Sequence, residues 1–144
     1  MRRWFLLLWL LAPLPVVVWH YGAGQRLLAR DQAYSLIRRA QKAEAKNDWR
    51  GAENLYMEAA ERVRSTDSLL KSRLDMALAR DRYWQGQAIE AMNLMDQVVG
   101  DAHFPERPAD FQREARELAA RIHYHSSWVM RLEGARRELW MEEA

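Results

Sequence analysis

The residues best suited to chemistry are His123 and His125, in the run HYHSS that closes with Ser126 and Ser127. A serine beside a histidine is the raw material of an activated nucleophile, and two nearby histidines can share a metal ion. The spacing argues against both uses. On a helix, residues two apart point to nearly opposite sides, so these imidazoles do not converge on one ion, and no geometry activates either serine. His20 and His103 stand apart from them and from each other. No HExxH, GxSxG, phosphate-loop or GxGxxG pattern occurs. Cysteine is absent, which removes thiol catalysis, disulfides and thiolate metal sites.

Carboxylates are plentiful but interleaved with arginines, as in Glu58, Glu61, Arg62 and Arg64. At helical spacings such pairs are solvated contacts worth about 0.2–0.5 kcal/mol each, and no buried acid pair for proton transfer is indicated. Met92 and Met95 read as core residues. The sequence therefore predicts no catalytic residue, no cofactor and no metal. The expected chemistry is that of a surface. The candidate partner-binding face is the exposed side of the first helix, Arg38, Arg39 and Lys42, with Arg80, Arg82 and Tyr83 as a second set; an ordinary solvated helix face has the same appearance.

Nucleic acid is not an expected partner. Of 22 basic residues, two precede the N-terminal apolar run, so the remainder balances the 20 acidic ones. Binding to phosphates draws on a net basic surface that this chain lacks.

The opening MRRWFLLLWLLAPLPVVVWHYGAG explains three of the seven tryptophans. Two arginines precede an apolar run that reaches about 20 residues, enough for a helix of roughly 30 Å, the thickness of a bilayer core. Trp4, Trp19 and Tyr21 fall where aromatic rings favour the interface. Residues 1–24 are expected to be a retained signal-anchor, with residues 4–23 in contact with lipid. A cleaved signal ending before Gln25 and a buried helix are the competing readings. Pro13 and Pro15 should bend the span. Arg2 and Arg3 favour a cytoplasmic N-terminus and Arg26 and Arg30 weigh against it. The signal-like order of charge, apolar run and small residues places residues 25–144 outside the cytoplasm, on the periplasmic side of a bacterial inner membrane.

What must position the candidate face is a set of helices. From Gln25 to Val99 there is no proline, and apolar residues recur at helical spacing. Leu28, Ala33, Leu36, Ile37, Ala40 and Ala43 form one stripe; Trp49, Ala52, Leu55, Tyr56, Ala59 and Val63 form the next, with Asp48 placed to cap it. Leu70, Leu74, Ala77, Leu78 and Trp84 form a third, broken by Gly86. Ala88, Ala91, Met92, Met95, Val98 and Val99 form a fourth, closed by Gly100 as a left-handed cap. GDAHFPERPAD is the loop or hinge. Phe111, Ala115, Leu118, Ala119, Ile122, Val129 and Leu132 then mark a long helix, and ARRELWMEEA starts another after Gly134. Short linkers make consecutive helices antiparallel. The expected fold is all-α: about five helices in hairpins near 27–64, 67–99 and 108–144, the last incomplete. Aligning NDWRGAENLYMEAA with GQAIEAMNLMDQVV puts Trp49 over Gly86, or over Ala88 when Ala52 is matched to Ala91; the second register also aligns Tyr56 with Met95 and Ala59 with Val98, a repeat of about 39 residues.

The series Ala52, Tyr56, Ala59, preceded by Trp49 and an Asn-Asp turn, resembles the second helix of a tetratricopeptide repeat, and Leu36 and Ala40 match positions of its first helix. The match covers most of residues 30–99. It departs at Ala43, where the family has an aromatic, in lacking a proline after the first hairpin, and in its longer spacing. The resemblance implies an α-solenoid fragment whose concave face binds peptides or helices. The expected function is a membrane-anchored, non-catalytic scaffold or adaptor for another protein. The alternative is a small accessory subunit of a larger membrane complex, held mainly through its span. Fewer than three full hairpins should leave the domain leaning on a partner, on the membrane or on a copy of itself.

Overall fold

The computed structural model describes residues 23–63, 67–132, 134 and 141. Five α-helices and one 3-10 turn follow in order: α1 (Ala23–Glu44), α2 (Trp49–Val63), α3 (Ser68–Trp84), α4 (Ala88–Val99), the turn Phe104–Glu106, and α5 (Ala109–Leu132). No strand occurs among the described residues. The expected anchor, residues 1–24, falls outside them except for Ala23 and Gly24, and no described helix is long and apolar enough to cross a membrane.

Both hairpin turns use one device. Asn47 has φ 58° and Gly86 φ 79°, left-handed positions that asparagine and glycine tolerate best. Behind Asn47, the Asp48 amide donates to the Ala43 carbonyl at 3.0 Å and the Asn47 amide to Glu44 at 2.8 Å. Behind Gly86, Gln87 donates to Arg82 at 2.9 Å and Gly86 to Tyr83 at 3.1 Å. This doubled bond pattern satisfies carbonyls that a helix end leaves free. The two turn residues stand 39 residues apart, the repeat length obtained by aligning the alanines. The matched positions Ala52 and Ala91, Tyr56 and Met95, Ala59 and Val98 are all buried.

Side-chain caps start two of the helices. The Gly51 amide donates to Asp48 Oδ1 at 2.9 Å, and the Leu70 amide to Asp67 Oδ1 at 2.9 Å. Gly100 differs from expectation. Its φ of −81° and ψ of −2° are right-handed, because the chain does not reverse there but runs into a connection whose next turn forms at Asp101. That connection is fastened at several points. The His103 amide donates to Asp101 Oδ1, Arg107 donates to Ser68 Oγ, Gln112 donates to the Arg107 carbonyl, and Phe104 is buried.

Two apolar clusters meet across α3. Leu70, Leu74 and Leu78 face α1 and α2, while Met76 and Ala79 face α4 and α5. A helix covered on two sides carries apolar residues on two faces, so its pattern has little contrast. In the first cluster Ala33 and Ala40 of α1, with Ala52 and Ala59 of α2, are fully buried. Pairs seven apart leave gaps through which the backbones approach, and Tyr56 fills the space beside them. Ala52→Leu should therefore force this crossing apart, costing about 1–3 kcal/mol. Chemical denaturation followed by circular dichroism would measure it, and an unchanged midpoint would contradict the close crossing.

Three expected core positions lie outside it. Leu28 is 49% exposed, Trp84 57% and Leu132 68%. Trp84 nonetheless stacks on half-buried Trp49, ring centroids 5.8 Å apart. The third unit also departs from the repeat. α5 runs straight through His125, the position 39 residues beyond Gly86, and ends at Leu132. Of the helix expected after Gly134, Met141 alone is described.

Candidate functional site

Successive first helices of the hairpins, α1 and α3, form a groove with α5 at its end. Its volume is about 250 Å³. Ile37, Leu70, Leu74 and Ala77 make an apolar floor, with Tyr56 beneath; Tyr34, Gln41, Arg73, Arg80 and Glu114 supply polar edges. The helical period places Arg73, Ala77 and Arg80 on one face of α3, with the small alanine between two long cations. Arg73 reaches Asp110 at 3.3 Å and lies 5.4 Å from the Phe111 ring centroid.

Beneath one end of the groove is an ionic layer that sequence reasoning missed. Arg80 donates to Glu44, the last residue of α1. Arg82 and Gln85 each donate to a different oxygen of Glu53 on α2, both at 2.9 Å. Between these pairs Asp81 is 0% exposed, and among the described residues neither of its oxygens has a hydrogen-bond donor. Burial pushes the Asp81 carboxyl up to about 8; the neighbouring Glu44 adds to the shift through hydrogen bonding and charge, while Arg80 opposes it. Burial alone would raise Glu53, yet the hydrogen bonds from Arg82 and Gln85 outweigh it and hold that group below its ordinary value. Burial and the Glu44 charge raise the Tyr56 hydroxyl. For Arg80 burial acts downward, but Glu44 overrides it and strengthens the cation.

A buried acid beside a half-buried one thus exists where none was indicated by sequence. The available signal was position: Asp81 falls seven residues after Leu74 and three after Leu78, on the buried stripe of α3.

The candidate residues do not form one patch. Arg38, Arg39 and Lys42 are exposed on α1. Arg80 and Arg82 point to opposite sides of α3 and are engaged with Glu44 and Glu53. Tyr83 is half-buried, edge-on to Trp84 and to His125 at 5.5 and 5.2 Å. The histidines separate as their spacing requires: His123 meets Asp96 Oδ1 at 3.0 Å, while His125 lies against Tyr83. Ser127 donates to the Tyr124 carbonyl, and Ser126 is buried. Among the described residues, no three metal-ligating side chains converge.

No family model, curated protein or solved structure matches this chain. The geometry of the groove and of the acid layer beneath it therefore carries the functional reading.

Proposed function

We propose that the protein is a membrane-anchored, tetratricopeptide-like adaptor that holds a segment of another protein in the groove between α1 and α3, without catalysis. The observation that carries this reading is the groove itself, an apolar floor with polar edges, built from successive hairpins. Small-molecule sites usually enclose about 300–1,000 Å³. A cleft of about 250 Å³ suits one or two anchoring side chains of a longer chain. The exposed Arg38, Arg39 and Lys42 extend the polar surface of α1 available to that partner. The apolar run 4–23 supports attachment to a membrane, with the helical domain on the extracytoplasmic side of a bacterial inner membrane.

Gln41 is exposed and borders the cleft, so Gln41→Trp should fill its mouth without disturbing the core. Affinity isolation from solubilised membranes should recover a distinct protein with the unaltered chain, and at least tenfold less of it with Gln41→Trp. Equal recovery would remove the groove from the binding site.

A further inference from the structure

We propose that Asp81, Glu44 and Arg80 form a proton-operated clasp between the two hairpins, closed while Asp81 carries a proton and released when it loses it. Three carboxyl groups meet here, Glu44 from α1, Glu53 from α2 and Asp81 from α3; Arg80 and Arg82 bond the two glutamates, and the charge of Arg50 adds to the pull on Glu53. Each arginine is already committed to one glutamate. Tyr56 from α2 brings a hydroxyl beside Glu44, and His125 from α5 stands against Tyr83. Among the described residues Asp81 is left as the group without a cation of its own, and it is the one with no exposed surface.

An ionised carboxylate accepts hydrogen bonds and cannot donate them, so two buried oxygens without a donor are costly to ionise. One proton resolves the conflict. Protonated Asp81 donates to Glu44, which already holds Arg80, and the second hairpin is thereby fastened to the end of the first. Loss of that proton leaves two carboxylates side by side with one arginine between them. The layer is relieved by admitting water, which requires α3 to move from α1. Because Arg80 and Tyr56 also line the groove, its width follows the state of the clasp.

The direction of the pH effect is set by linkage. Burial raises Asp81 in the closed form above its value in an open, hydrated one. The closed form therefore binds one more proton across the interval between the two values, and is lost as pH rises through it. The ratio of closed to open falls by up to about tenfold per pH unit there.

The native chain has no cysteine, so introduced pairs are the sole labelling sites. Ala45→Cys and Gln87→Cys put spin labels at exposed positions in the two hairpin turns. Dipolar distance measurements on the full chain in nanodiscs, from pH 6 to 9, should show one short distance giving way to a longer one. Asp81→Asn supplies an amide donor without a charge and should hold the short distance throughout. Glu44→Gln removes the facing carboxylate and should flatten the same response if Asp81→Asn does not fold. An unaltered distance from pH 6 to 9 in the native background, or an undiminished pH response in the variants, would overturn the clasp. No partner takes part in this measurement, so its outcome is independent of the adaptor reading.

Discussion

Phe111→Ala is expected to lower the stability of the helical domain by about 3–5 kcal/mol, the range for truncating a buried aromatic ring. The ring is 0% exposed and lies 6.1 Å, centroid to centroid, from Phe104. Arg73 from α3 covers it at 5.4 Å, and Arg116 covers Phe104 at 5.2 Å. One side chain thus joins the start of α5, the Phe104 turn and α3. Removing it leaves a cavity that three separate segments would have to collapse to fill. Urea unfolding followed by circular dichroism measures the change. A loss below about 1 kcal/mol, far under the range for such truncations, would mean that α5 is not held through this ring.

Leu74→Ala should cost about 2–5 kcal/mol by the same transfer and cavity terms, but on the other face of α3. Leu74 is 2% exposed in the cluster with Ala33, Ala40, Ala52 and Tyr56, and it also lines the groove. The two substitutions act on clusters that are joined through α3 and through Leu94 of α4, which packs against both. If α3 couples the clusters, each variant unfolds in a single transition with an unchanged denaturant slope. Two separated transitions in Leu74→Ala would show that the hairpins unfold independently.

Features set by local chemistry were the ones legible in the sequence. The four stripes of residues 25–99 followed the 3.6-residue period, and Asp48 and Gly86 announced a helix start and a helix end. Matching Ala52 to Ala91 recovered the 39-residue offset that the turn residues Asn47 and Gly86 also obey. What depended on distant partners was not legible. Met76 and Ala79 lie off the expected third stripe because α3 is covered on two sides. Arg80 and Arg82 read as free cations because their acids, Glu44 and Glu53, lie 36 and 29 residues earlier in the chain. Asp81 drew no reading of its own, because a carboxylate normally is surface and only the assembled hairpins bury this one. Gly100 read as a left-handed cap because the reversal was expected there, whereas the chain first folds Phe104 under α5.

Light-activated crosslinking in intact membranes, with a photoreactive residue in place of Gln41, tests most directly whether the groove holds another protein. Asn54, exposed on α2 and outside the groove lining, is the matched control. The adaptor account predicts one discrete protein adduct from position 41 and none of that species from position 54. The same adducts from both positions, or none from position 41, would contradict it.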